Sequence, residues 1–211
     1  MAIRRSHRPR SVRLVAGTAT HTGQIRASNQ DAVGMADDLF VVADGMGGHR
    51  GGEVAAAEAV DVLMVGLERS DRAGLVAAVR AANRSILERA AAEPDLSGMG
   101  TTLCALAVVD SPSGDDALAV VNIGDSRVYR FAAGRLDQVS DAHSLVADLV
   151  RAGEITSEEA AHHPQRNILT RALGIEADPL IDSWDLVPVH GDRYLLCSDG
   201  LFNELDDGRL T

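Results

Sequence analysis

The apolar positions change period along the chain. Residues 12–20 (VRLVAGTAT) and 32–36 read as extended, and Asp37-Asp38 marks a turn into the apolar run 39–45 (LFVVADG), a buried hairpin strand. From Gly51 to Glu68, Val54, Ala55, Val60, Leu63, Met64 and Leu67 recur at helical spacing. Asp71 is placed to cap a second helix that runs to about Ala92, with Leu75, Val79, Ala82, Ile86 and Leu87 on one face and Pro94 just beyond its end. Strands return at 101–109, 117–123 and 127–132. A polar helical stretch covers about 143–163, and two more strands are expected at 180–189 and 193–198. Strands before and after a helix pair, joined mostly by hairpin-length loops, predict an α+β domain with antiparallel sheets covered by helices. A parallel βαβ fold would alternate strand and helix more regularly.

The 211 residues suffice for one domain of ordinary size, read as residues 12–211 behind a basic tail at 1–11. Charge narrows the function. The chain has 31 acidic residues against 20 basic ones, all of them Arg, for a net charge of −11. That balance argues against a non-specific nucleic-acid binder, and six aromatic residues are few for base-stacking platforms. No apolar run approaches the roughly 18 residues a membrane span needs, and the basic N-terminal stretch has no apolar segment behind it, unlike a secretory signal. Cys104 and Cys197 sit in separate apolar runs and read as buried, reduced thiols of a cytoplasmic protein.

The Asp excess is not spread evenly. Asp44 follows LFVVA and precedes Gly45; Asp125 follows VVNIG; Asp199 follows YLLCS and precedes Gly200. Each apolar strand delivers a carboxylate at its end, beside a Gly that permits close approach. One Asp-Gly alone is an ordinary turn. Three carboxylates converging from separate strand ends make a site for a hard cation such as Mg²⁺ or Mn²⁺, which prefers oxygen ligands.

Six motifs occur in order: Arg26-x-x-Asn29-Gln30-Asp31, VVADGMGGHRGGEVA (41–55), Gly100-Thr101-Thr102-Leu103, NIGDSRVYR (122–130), LTRALG (169–174) and LLCSDGLFNEL (195–205). Together they resemble the bacterial branch of the 2C-type metal-dependent protein serine/threonine phosphatases, over nearly all the chain from about residue 14. The resemblance implies a β-sandwich flanked by helix pairs in α-β-β-α layers, with a mobile flap over about 141–168. It implies hydrolysis of phosphoserine and phosphothreonine in proteins, opposing Ser/Thr kinases, by a water held between two Mn²⁺ or Mg²⁺ ions. By the same resemblance Asp44 bridges both metals, Gly45 offers its carbonyl to one, Asp199 ligates the other and Asp125 ligates a third, weaker site. Arg26 matches the phosphate-binding guanidinium, whose planar fork suits two phosphate oxygens. Asp31 reads as a residue that orients the ligands or Arg26, and Arg127 as the partner of a nearby carboxylate. The general acid is open: where eukaryotic members carry a His directly after Asp-Gly this chain has Met46, which leaves His49 as candidate against a loop-packing role. His143, His162 and His163 read as local packing or capping residues of the flap.

Three departures from the family pattern bear on function. Gln30 stands where many members have Glu; a neutral amide can still hydrogen-bond a metal-bound water, with weaker metal affinity expected. In Asp141-Ala142-His143-Ser144, Ala142 replaces the usual carboxylate before the His. The chain stops at Thr211, before the last helix, the Asp-Asn turn and the closing strand of the family, so one metal site is expected to lack a ligand. The chain is then either truncated or naturally short. The alternative to an enzyme is a metal-deficient phosphatase-like module that binds phosphoproteins with little turnover; a nuclease on this scaffold is disfavoured by the acidic balance.

Overall fold

A computed structural model of the chain describes residues 10–24, 28–47, 50–205 and 207–210. The elements follow in order β1 (Asp31–Met35), β2 (Leu39–Met46), α1 (Gly51–Met64), α2 (Arg72–Ala92), β3 (Gly100–Thr101), β4 (Leu103–Asp110), β5 (Asp116–Ile123), β6 (Arg127–Ala132), β7 (Arg135–Gln138), α3 (Leu145–Arg151), α4 (Ser157–Ala161), β8 (Asp182–Leu186), β9 (Arg193–Cys197), α5 (Asp199–Phe202) and α6 (Asp207–Leu210). All strand pairs are antiparallel. The first sheet has the order β1-β2-β4-β5-β8, with β3 on the end of β2; the second is β7-β6-β9.

Period-2 alternation decides which layer each side chain enters. On β2, β4 and β5, the residues Leu39, Val41, Ala43, Leu103, Ala105, Ala107, Val109, Ala117, Ala119, Val121 and Ile123 face one way. They pack on Ala55, Ala56, Ala59 and Leu63 of α1 and Leu75, Val79, Ala82 and Ile86 of α2. Alanines on both sides of this seam let the helices lie close to the sheet. The alternate residues Cys104, Leu106, Val108, Leu118 and Val120 face the second sheet, where Val128, Tyr194 and Leu196 meet them. A helix pair, a large sheet and a small sheet thus stack in three layers, which fits the α+β reading; of the implied α-β-β-α order, the described residues form one long helix pair, and only the short α5 and α6 follow β9. Helices α3 and α4 lie together in the 141–168 segment.

Helix α2 begins where the sequence places it: Asp71 is extended and its side chain accepts the Gly74 N–H at 2.7 Å. Two expectations change. Residues 12–20 form no strand. Val12 and Leu14 do pack against the inter-sheet core, but the Val12 N–H goes to the Asp116 carboxylate rather than to a neighbouring strand, so the alternation records one-sided burial without a ladder. Strand β7 was hidden by its composition (Arg-Leu-Asp-Gln); it is made by a two-residue turn in which Ala133 and Gly134 both have positive φ, which suits the right-handed twist of a hairpin.

Candidate active site

The end of the first sheet where β2 stops is a crossing of backbones. The Gly45 N–H bonds the Gln30 carbonyl at 3.0 Å, and a Cβ on Gly45 would lie 2.0 Å from the Gly52 carbonyl oxygen. Only glycines at 45 and 52 allow β2 to run this close beneath the start of α1. The strand end is held from the other side by two hydroxyls. Thr102 Oγ1 accepts the Asp44 N–H at 3.0 Å, while Thr101 Oγ1 donates to the Asp44 carbonyl at 3.0 Å. Thr102 also shares a 2.7 Å hydrogen bond with Ser126, the residue after Asp125.

Four carboxylates gather here from four segments: Asp31 at the start of β1, Asp44 on β2, Asp125 in the turn after β5 and Asp199 at the start of α5. Asp31 and Asp44 are directly opposed across the β1–β2 ladder. Ser198 Oγ donates to Asp31 at 2.7 Å, and Asn203 Nδ2 donates to Asp199 at 3.2 Å. Burial, then the charges of Asp31, Asp199 and Asp125, push the Asp44 carboxyl from its ordinary 3.8 to about 8. Burial and Asp199 push Asp125 up to about 6, partly offset by its own backbone N–H and then by Arg127. Such a cluster repels itself unless protons or cations enter it. Its donors are all oxygens, which fits Mg²⁺ or Mn²⁺ rather than a soft metal. Among the described residues no three His, Cys, Asp or Glu side chains close into a ready-made cage. That is compatible with cations that keep several of their own waters.

Asp44, Gly45, Asp125 and Asp199 are therefore brought to one end of the sheet, as the motifs predict, and Asp31 joins them as a member of the carboxylate cluster. Gln30 touches the site through its backbone carbonyl. Arg26 and His49 lie outside the described residues. Arg127 favours the charged form of the nearby Asp125 through its charge rather than through a close ion pair among the described residues; its guanidinium sits 3.7 Å over the Phe202 ring and donates to the Tyr129 hydroxyl at 2.9 Å. His163 caps locally, with Nδ1 accepting the Gln165 N–H, and His162 ends α4. His143 is different, being 1% exposed and bonded to residues far from the flap. Sequence reasoning missed Ser198, Ser126 and Asp182. Only the position of the two serines inside quoted motifs signalled them, and nothing marked Asp182.

Residues 20–210 match the protein phosphatase 2C family. The chain belongs to that family. Among curated relatives, the serine/threonine protein phosphatase PstP of Mycobacterium tuberculosis is 43% identical over 191 residues, which are 88% of this chain and 36% of that protein. The chain thus spans about a third of the length of that relative. Among solved structures, the PPM Ser-Thr phosphatase MsPP of Mycobacterium smegmatis, in complex with cacodylate, superposes with a TM-score of 0.82 at 44% identity, covering 92% of this chain and 81% of that one. The catalytic domain of PstP in complex with two manganese ions superposes with a TM-score of 0.76 at 41% identity, covering 88% and 77%. The phosphatase 2C fold therefore accounts for both sheets and the helix pair. No helix of the described residues is long and apolar enough to cross a membrane.

Proposed function

We propose that the protein hydrolyses phosphoserine and phosphothreonine in proteins with Mn²⁺ or Mg²⁺, reversing the work of Ser/Thr kinases. The observation that carries this reading is the four-carboxylate cluster, in which Asp44 is held at about 8 by burial and like charge. A protein tolerates that repulsion where divalent cations answer it. Asp44, the Gly45 carbonyl, Asp199 and Asp125 would hold the cations; Asp31, fixed by Ser198, would orient the set, and Gln30 braces Gly45. When bound, such ions lower the pKa of a water and neutralise charge on phosphoryl oxygens. Arg26 supplies the guanidinium for two phosphate oxygens. A water attacks phosphorus opposite the leaving oxygen, the P–O bond to serine or threonine breaks, and that oxygen takes a proton. His49 is the candidate donor of that proton; an unchanged pH–rate profile in His49→Ala removes it from the role.

Support also comes from PstP, whose catalytic domain was solved with two manganese ions. The bacterial cytoplasm, a reducing compartment, suits Cys104 and Cys197, which are buried and joined by no disulfide. The test is phosphate release from phosphoserine and phosphothreonine peptides with Mn²⁺, alongside calorimetric Mn²⁺ titration of wild type and Asp44→Asn. Turnover and cation binding that vanish together in the variant are expected. A wild type that binds phosphopeptide but neither binds Mn²⁺ nor releases phosphate would instead be a phosphoprotein-binding module.

A further inference from the structure

His143 opens the 141–168 segment, yet its bonds point inward. Its backbone N–H donates to the Gly124 carbonyl at 2.9 Å, and its ring Nδ1 accepts the Gly124 N–H at 3.1 Å. One residue thus grips both polar groups of the glycine that precedes Asp125. Asn122 adds a third hold, its Nδ2 donating to the Gly124 carbonyl at 3.2 Å and to the Asp141 carbonyl at 2.9 Å. Gly124 needs holding: its φ is +101°, and a Cβ there would lie 2.6 Å from the Thr102 side chain. The turn is therefore built on a conformation that the local sequence does not enforce against alternatives.

The far side of the ring fixes the tautomer. Because Nδ1 accepts a hydrogen bond, the proton of the neutral imidazole is on Nε2, which donates to Asp182 Oδ2 at 3.0 Å. Arg171 Nη1 donates to Asp182 Oδ1 at 3.0 Å. Its 3.2 Å approach to Nε2 follows from both donors converging on one carboxylate. Asp182 begins β8 and faces Asn122 across the β5–β8 ladder, so the anchor belongs to the rigid sheet rather than to a loop.

We infer that His143 is a positioning residue for the proposed reaction: through Gly124 it sets the direction in which the Asp125 carboxylate faces Asp44 and Asp199, with Asp182 and Arg171 holding its ring. The inference rests on the functional reading above for its effect on cations, and on its own geometry for the Gly124 grip. Asp125 carries no side-chain bond to His143; the coupling runs through one peptide unit.

Three variants separate positioning from simple packing. In His143→Asn the amide oxygen takes the place of Nδ1, so the Gly124 N–H keeps an acceptor while the bond to Asp182 is lost. His143→Gln offers its amide near Nε2 instead and leaves Gly124 without one. His143→Leu removes both. Calorimetric Mn²⁺ titration should show binding about 10- to 100-fold weaker in the Gln and Leu variants, with the Asn variant close to wild type. Thermal unfolding in chelator should fall in all three. Equal loss of cation affinity in Asn and Gln, in step with stability, overturns the inference, because a packing role cannot distinguish the two ends of the ring. A second measurement uses the metal-free wild type: a scalar coupling across the hydrogen bond between the Gly124 amide nitrogen and His143 Nδ1, with Nε2 protonated. Its absence, or a proton on Nδ1, also overturns the inference. A wild type that binds no Mn²⁺ while showing that coupling sinks the functional reading and the cation effect but leaves the grip on Gly124 standing.

Discussion

Strand β5 has a carboxylate near each end, and the two live in opposite worlds. Asp116 opens the strand. Although burial pushes its carboxyl up, the Val12 N–H, the Ser11 hydroxyl, Arg10 and the Ser11 N–H outweigh that and hold it at about 2. Arg10 Nη1 lies 3.1 Å away and the Val12 N–H 2.9 Å. Asp125 follows the other end, where burial and a second carboxylate raise it to about 6, and its neighbour Asp44 reaches about 8. One end is saturated with donors and is complete as folded. The other is short of positive charge, and that deficit is what marks it as the candidate site. A buried carboxylate with its donors present is structural; one facing other carboxylates asks for a ligand.

The contrast can be broken most severely by Asp44→Asn, which should lower Mn²⁺-dependent release of phosphate from a phosphopeptide by at least about 100-fold. Asp116→Ala should leave the Mn²⁺ dependence of that rate unchanged. Cations come next: at 100 times its dissociation constant, a cation that binds only the folded state should add about 2.7 kcal/mol, read as a rise in Tm that chelator reverses. Asp44→Asn should abolish most of that rise. At the other end, Asp116→Ala strands the Ser11 and Val12 donors and should cost about 1–3 kcal/mol in denaturant unfolding, with or without Mn²⁺.

The same contrast sets a pH slope. Asp44 and Asp125 have folded-state pKa values raised above the unfolded ones, so the metal-free folded protein holds protons that the unfolded chain releases. Their contribution to stability is fully present below the unfolded value of 3.8 and is lost as pH rises through about 6 and about 8. Asp116 runs the other way: its contribution is present above 3.8 and is lost as pH falls through about 2. Metal-free stability should therefore fall between about pH 4 and pH 8, and Asp44→Asn should flatten that decline. Saturating Mn²⁺ should reverse it, because cation binding needs the deprotonated carboxylates. A metal-free protein whose stability rises steadily across that range would contradict the self-repelling cluster.

Much of the fold was legible in the chain. The near-continuous apolar run at 117–123 and the helical spacing from Leu75 to Ile86 survive because β5 is buried on both faces, between the helix pair and the second sheet, and α2 on one. The same signal misled at 12–20, where Val12 and Leu14 are covered yet no strand pairs with them. It was silent for β7, whose residues are mostly exposed and whose pairing depends on the turn at Ala133-Gly134. In the site, Asp44, Asp125 and Asp199 stood out because each ends an apolar run beside a glycine. Asp182, inside a short half-exposed strand, carried no such mark.

What the sequence determined by itself was the supply: which strands deliver carboxylates, where glycine permits a close crossing, and the family to which that order of motifs belongs. It marked Asp44 and left Asp116 unremarked, but it did not show which groups surround either carboxylate. Only the tertiary structure sets Arg10, Ser11 and Val12 around one and Asp31, Asp125 and Asp199 around the other. The reason is that a carboxylate's charge state depends on the groups within a few ångströms of it, and these come from distant parts of the chain. The same holds for His143, a flap residue by sequence, whose partners at positions 124 and 182 meet it only once β5 and β8 are side by side.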